Sequence, residues 1–378
     1  MKEEEVQLFI MTKDLKDIKV AIVGDHCFGF AGASSVSRCI GQMFSSVDYF
    51  FLMGYEQEAK RYFKTERVFF SKLNRLPFLK RYYRYTLFLW PIFIESFDFS
   101  EYDLVISNSF SVAHGVIVPV KTKHISYIHT PMRYIWDLYN EYFSRSFVLK
   151  RIIVGMFVNF LRIWDISASE RADLLIANST FVQKRIFKYW RKKCDYLLHP
   201  PVKIYEGEIR KKREPYFLSG APFDENKGGE FLFECAKELG FNLKVIGKGL
   251  LYKRFKRMYS GVSNIEFLGR VSEKEKERLF SKAFGFIGAG VEDFGIFPIE
   301  ALSFGTPVLA YMESGYMDGV VDGVNGVFFK EMTLESFKEA MDRFKKIEWD
   351  RGEVSASAKR FSTERFKMEL ERIILKNI

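Results

Sequence analysis

A chain of 378 residues with 48% hydrophobic and 28% charged side chains can bury substantial cores and divides most naturally into two domains. Its formal charge of +10 points to an anionic partner, with nucleic acid, a membrane surface and a phosphorylated substrate all compatible. Cys27, Cys39, Cys194 and Cys235 show no paired spacing, the five histidines form no i, i+4 pair, and no loop is rich in Asp and Asn, so neither a disulfide framework nor a bound metal is expected.

Residues 1–17 are charged throughout and the first long apolar run, 18–24, is only strand length. No cleavable signal peptide is expected, and the cytoplasm is the expected compartment. The first half then alternates strand-like runs at 19–24, 49–54, 103–107, 124–129 and 172–178 with helical runs at 34–44 and 180–190. Such a rhythm predicts a parallel sheet covered by helices. After the first strand, Gly29, Gly32 and Ser34 in G-F-A-G-A-S form a loop that could approach phosphate or an acceptor. Tight-turn glycines without a ligand are the other reading, and the spacing fits neither the dinucleotide nor the P-loop fingerprint.

Residues 61–90 mix bases, among them Arg75, Arg81 and Arg84, with aromatics such as Phe78, Tyr82 and Tyr85. That mixture suits a lipid-headgroup interface, or equally a solvated basic face over core aromatics. No spanning helix is expected: the run 85–94 is too short, and Lys150, Arg151 and Arg162 interrupt 147–164.

A break at 196–201, with Pro200 and Pro201, leads into a polar stretch at 203–215, placing a domain boundary between 1–200 and 201–360. The rhythm restarts with strands at 216–219, 243–246, 264–268, 283–287 and 307–311, and with helices from Lys227, Leu250, Glu273 and Pro298. The segment 361–378 has helical apolar spacing and is expected to pack back on the first domain. Two α/β units in tandem, both Rossmann-like, would face each other across a cleft lined by the carboxyl ends of their strands, where open α/β folds bind ligands.

The stretch 290–305, G-V-E-D-F-G-I-F-P-I-E-A-L-S-F-G, follows a strand and opens a helix. Pro298 suits the first helical position, which puts Phe297 at the cap with no oxygen to offer the first-turn amides. Gly295 lets a ligand approach the backbone, and the helix's positive end favours an anion. Glu300, in the first turn, could accept two ribose hydroxyls, and Glu292 could reach a sugar or its phosphate. On spacing alone, Glu300 could equally complement the helix dipole and Glu292 be a solvated loop acid. Lys227 in D-E-N-K-G-G, with Asp224 or Asn226 as a cap, would oppose the helix dipole unless a diphosphate lay against it; pairing with Asp224 or Glu225 is the alternative. His129 ends a strand at the expected crevice, where it could meet a substrate or be structural.

Glu292 and Glu300, separated by seven residues, resemble the paired-glutamate motif of retaining glycosyltransferases of family 4, whose members have the GT-B fold. N-I-E-F-L-G-R-V-S at 264–272, G-T-P-V-L-A at 305–310 and V-D-G-V-N-G-V-F-F at 321–329 resemble the same family. Y-D-L-V-I-S-N-S at 102–109 and H-T-P-M-R-Y-I-W-D at 129–137 resemble a branch that builds bacterial surface polysaccharide, frequently with mannose. The resemblance implies a nucleotide-diphosphate sugar as substrate, best GDP-mannose, transferred with retention to a lipid-linked or polysaccharide acceptor without metal or cofactor. It further implies Glu300 on the ribose, Glu292 on the donor hexose, the amides of Phe294, Gly295, Ile296 and Phe297 on hexose and diphosphate, and His129 on the donor sugar. Family members usually carry an arginine shortly before Lys227, which G-A-P-F-D-E-N-K lacks; Lys248 or Arg270 could replace its charge. The same architecture also serves nucleotide-sugar epimerases, phosphorylases and inactive glycan-assembly scaffolds.

Overall fold

The computed structural model of the chain describes residues 18–30, 32–76, 83–139, 148–220, 223–224 and 227–378, with backbone alone at 84, 85 and 148–154. The charged segment 1–17, Arg81 and Asn226 lie outside the described residues, as does the side chain of Arg84. The chain folds into two compact units, Met1–His199 with Phe366–Ile378, and Pro200–Arg365.

The first unit holds β1 (Val20–Cys27), α1 (Ala33–Gly41), β2 (Val47–Gly54), α2 (Glu56–Phe63), β3 (Val68–Phe70), α3 (Trp90–Ile94), β4 (Leu104–Ser109), β5 (Lys123–Ile128), α4 (Val148–Ser169), β6 (Leu174–Ala177), α5 (Thr180–Trp190) and β7 (Tyr196–Leu197). Its seven strands are all parallel, in the order β3-β2-β1-β4-β5-β6-β7. Successive side chains of a strand point to opposite faces, so a sheet covered on both sides needs apolar residues at every position. Accordingly Val20 and Ile22 join Leu104, Ile106 and Tyr127 in one core, while Ala21 and Val23 join Val105, Trp90 and Trp164 in the other.

The second unit repeats the plan with β8 (Glu214–Gly220), α6 (Gly229–Leu239), β9 (Leu243–Ile246), α7 (Tyr252–Met258), β10 (Ile265–Gly269), α8 (Glu273–Lys282), β11 (Ala283–Gly288), α9 (Ile296–Ser303), β12 (Val308–Tyr311), β13 (Gly326–Phe329), α10 (Leu334–Lys346) and α11 (Arg351–Ala358). Its six parallel strands run β10-β9-β8-β11-β12-β13. Phe217, Leu243, Val245 and Ile287 face one core, and Leu218, Phe286, Val308 and Ala310 face the other. The last helix, α12 (Thr363–Asn377), places Phe366, Leu370, Ile373 and Ile374 in the core of the first unit.

Both sheets have the strand order of a doubly wound nucleotide-binding fold, with the chain leaving in opposite directions from β1 and β4, and from β8 and β11. These strand pairs are the topological switch points, where the loops part and leave room at the carboxyl ends.

Candidate functional site

The helices divide by the way they start. Ser179, Ser272, Thr333 and Asp350 cap α5, α8, α10 and α11 with side-chain oxygens. The helices α1, α6 and α9, which follow the switch-point strands β1, β8 and β11, begin instead at Gly32, Gly228 and Gly295, each at positive φ and each without a side-chain cap. Their first-turn amides therefore lack an acceptor from their own cap, the condition under which a helix end takes an external anion.

Two expected helix starts are corrected by this. The cap of α9 is Gly295 and not Phe297, so Pro298 is the third helical residue and Glu300 the fifth, beyond the first turn. Pro298 lacks an N–H, which leaves Ile296 and Phe297 as the outward donors. Helix α6 starts at Gly229, not Lys227, whose own amide donates to the Asp224 carbonyl at 3.0 Å.

The loops after β8 and β11 touch backbone to backbone. A Cβ on Gly228 would come within 2.4 Å of the Ala289 oxygen, and one on Gly290 within 2.4 Å of the Lys227 Cα, so only glycine fits either place. This approach brings the Lys227 ammonium onto the Glu292 carboxylate, where the two form an ion pair across the switch point. Lys227 thus pairs with Glu292 and not with Asp224, while Glu225 lies outside the described residues. Glu292 is fixed through its main chain: its N–H donates to Ser314 Oγ at 2.9 Å, and its carbonyl accepts from the Gly315 N–H at 2.8 Å. Gly295, at φ 91°, lies against Tyr316, whose ring would be 2.5 Å from an added Cβ. Phe297 closes over Gly220 at the end of β8, where a Cβ would be 2.7 Å from its ring.

Glu300 lines a cavity of 360 Å³ with Lys276, Glu273, Tyr205, Lys203 and Phe304. Its carboxylate accepts from Lys276 Nζ at 3.0 Å. Burial raises the Glu300 carboxyl above its usual value against the pull of Lys276. Burial also works to lower the Lys276 ammonium, but Glu300 and Glu273 outweigh it and hold it above the usual lysine value. Lys248 and Arg270 stand exposed just beyond β9 and β10, at the same end of the sheet, and neither pairs with a described carboxylate.

In the first unit, Asn108, His129 and Asn178 close the carboxyl ends of β4, β5 and β6 in a row. The Asn108 amide nitrogen donates to the Ala33 carbonyl and to Ser37 Oγ, both at 2.7 Å, and its oxygen accepts from His129 Nε2–H at 2.7 Å. That bond sets the tautomer, leaving Nδ1 as the acceptor facing Asn178 Nδ2 at 3.5 Å. Burial pushes His129 down to about 4, so it is neutral at physiological pH. Ser34 turns its hydroxyl back to the Gly29 carbonyl at 2.9 Å, tying the loop to itself, while Gly29 and Gly32 face open space. The amides of Phe110, Ser111, Val112 and Ala113 all converge on the buried carboxylate of Asp25.

The structure therefore brings Lys227, Glu292, Gly295, Ile296, Phe297 and Glu300 to one end of the second unit, with Lys248 and Arg270 along the same edge. Gly29, Gly32, Ser34 and His129 lie at the corresponding end of the first. Asp25, Asn108, Asn178, Lys276 and Ser314 were not legible as site residues, because each acts on a partner distant in sequence. Among the described residues no three His, Cys, Asp or Glu side chains are grouped to hold a metal, and no helix is long and apolar enough to cross a membrane.

Residues 203–362 match the family model described as glycosyl transferases group 1. An uncharacterized glycosyltransferase of Methanocaldococcus jannaschii is 28% identical over 205 residues, 52% of this chain and 54% of that protein, so the chain spans about half the length of this curated relative in the match. The fold is similar to that of the lipopolysaccharide outer core galactosyltransferase WaaB in its apo form, with TM-score 0.67, 17% identity and coverage of 96% of this chain and 100% of that one. It is also similar to sucrose-phosphate synthase from Thermosynechococcus elongatus (TM-score 0.68, 14% identity, 95% and 99% covered). Anabaena HepE in complex with UDP-glucose gives TM-score 0.67 at 15% identity, with 95% and 100% covered. The second unit is thus matched by the glycosyl transferases group 1 model over residues 203–362, and the chain has two parallel-sheet Rossmann-like domains that match the GT-B fold of these solved structures.

Proposed function

We propose that the protein is a retaining hexosyltransferase that moves a sugar from a nucleotide-diphosphate donor, with GDP-mannose placed first, to a lipid-linked or polysaccharide acceptor in cell-surface glycan synthesis. It would act in the cytoplasm and without metal or cofactor. The observation that carries this reading is the ion pair of Lys227 and Glu292 astride the switch point, beside a helix whose cap, Gly295, offers its first-turn amides no side chain. The two side chains keep 24% and 29% of their surface exposed, so a diphosphate can reach the pair and take one of the three lysine donors. The Ile296 and Phe297 amides would hold the same anion, and Glu300 the ribose, with Lys276 holding that carboxylate in place by its hydrogen bond at 3.0 Å.

As transfer proceeds, the bond from the sugar carbon to the diphosphate oxygen breaks and the acceptor oxygen bonds to that carbon. The acceptor's proton passes to the departing phosphate on the same face, which retains configuration and requires no protein base. Charge grows on the diphosphate, where Lys227 and the helix amides are already aimed. His129, neutral and with Nε2–H committed to Asn108, would meet the donor sugar only as an acceptor at Nδ1, in place of the long 3.5 Å contact with Asn178, and not as a proton carrier.

A thermal-shift titration with GDP, UDP, ADP and TDP tests the reading, followed by release of nucleoside diphosphate from the matching nucleotide sugars. GDP should stabilise the protein, and Glu300→Ala should abolish that shift. A larger response to UDP would move the donor to a UDP-hexose, while indifference to every nucleotide would sink the proposal.

A further inference from the structure

Helix α4 is apolar on both faces over its last three turns: Val158, Leu161, Trp164 and Ala168 are buried in the core, and a second apolar set lies on the opposite side. Its charged residues face the protein: Asp165 is fully buried and accepts from the indole N–H of Trp136 at 2.8 Å and of Trp190 at 2.6 Å, and Arg162 donates to the Ile135 carbonyl at 2.7 Å. The outward set is large and apolar, with Met156 70%, Phe160 51% and Ile163 71% exposed, flanked by Phe157 and Ile166. Between Met156 and Ser167 the exposed positions carry no charge, only Asn159 and Ser167 being polar. The stripe extends sideways, because Phe157 packs on the exposed Phe88 with ring centroids 5.1 Å apart, and Ile92 beyond it is 60% exposed. A continuous apolar surface of this size on a protein exterior marks an interaction face.

The charge around it selects the occupant. Residues 72–94, which include Phe88 and Ile92, hold five bases and no acid, and Lys72 and Arg75 are exposed. In a two-fold pair of this chain the same cationic stretch would meet its own copy, whereas an anionic surface would complement it. An exposed apolar face on a unit that also exposes Lys72 and Arg75, neither of which pairs with a described carboxylate, fits the boundary between headgroups and acyl chains, where a helix lies in the plane of the surface and does not cross it.

We propose that the outward face of α4, with Phe88 and Ile92, is a membrane-docking surface that seats the first unit on an anionic lipid bilayer. The inference stands on this surface alone and is independent of the donor chemistry. Flotation of the full chain with vesicles of phosphatidylcholine and phosphatidylglycerol tests it. The wild type should float, more at low than at high salt, and F160E/I163E should reduce partitioning at least tenfold with an unchanged melting temperature. K72Q/R75Q should reduce it severalfold and flatten its salt dependence. Absence of flotation, or flotation unchanged by F160E/I163E, would overturn the proposal. A wild-type dimer that F160E/I163E converts to monomer, with no vesicle binding, would assign the face to a second copy and overturn it as well. Nucleotide thermal shifts, measured without lipid, separate this outcome from failure of the donor reading.

Discussion

The two units solve the same problem in opposite ways. In the first, four consecutive amides after β4 are collected by Asp25, a carboxylate supplied from the neighbouring β1. In the second, the equivalent strand β11 is followed by an uncapped helix, and the neighbouring β8 ends in Gly220, which has no side chain to give. One switch point carries its own anion, and the other leaves a place for a visiting one. The same fold therefore gathers its loop amides on a carboxylate of its own after β4 and leaves the helix after β11 without one, according to whether the neighbouring strand carries an acid near its end or finishes in a glycine.

The largest expected effect tests the built-in anion. Asp25→Ala strands four amides, buried or nearly so, and should cost about 3–5 kcal/mol in urea unfolding, concentrated in the first unit by hydrogen exchange. Burial holds the Asp25 carboxyl above its usual value while the amides pull it back, so the asparagine variant, with one acceptor oxygen, should not restore the loss. An unchanged midpoint would erase the contrast between the halves.

Next in size is an acid sensitivity seated in the first unit. Burial lowers both His124 and His129 from 6.5 to about 4. The folded state prefers the neutral rings, so their contribution is intact above pH 6.5 and is lost as pH falls towards 4. By pH 5 each should have cost roughly 2 kcal/mol. Unfolding free energies at pH 7 and pH 5 read the difference, and Asn108→Asp, which places a carboxylate on His129 Nε2, should shrink it.

For the second unit, Lys227→Gln should weaken a nucleoside diphosphate about tenfold, or about 1.4 kcal/mol, while leaving the monophosphate nearly unaffected. Equal losses for both would place the ammonium away from the distal phosphate. The smallest effect, two- to threefold on the same diphosphate, is expected for Lys248→Gln or Arg270→Gln by isothermal titration. The larger of the two would mark the base that stands in for the family's arginine.

The sheets were legible because a parallel strand covered on both faces is written as an unbroken apolar run, as in V-A-I-V at 20–23 and L-V-I-S at 104–107. Two helix starts marked by a side-chain oxygen were placed correctly, Thr180 after Ser179 and Glu273 after Ser272, whereas those after Thr333 and Asp350 were not read. The starts of α6 and α9 were misplaced, because a glycine at positive φ starts a helix without any chemical signature that distinguishes it from a turn. Short β3 and β7, and β13, carried too little pattern to be read. Of the site, Glu292, Glu300 and Lys227 could be named from their neighbours in sequence, but the ion pair joining residues 227 and 292 could not. Lys276 was hidden in E-K-E-K-E-R, which reads as an ordinary solvated helix face until Glu300 is brought against it.

Arg213 has no carboxylate partner among the bonds that hold it. Its guanidinium donates to the Ser281 and Phe304 carbonyls, to the Gly305 carbonyl at 3.2 Å and to Thr306 Oγ1 at 3.0 Å, and burial together with Arg351 pushes it down to about 10. It is thus a positive charge riveted to the tail of α9, about 12 Å of helix away from the amides at the head. A rod pinned at its far end does not swing when something docks at the near one, so little ordering remains to be done on arrival. Weakening that rivet should therefore loosen the proposed nucleotide site at the head of the helix, although Arg213 is bonded at its tail.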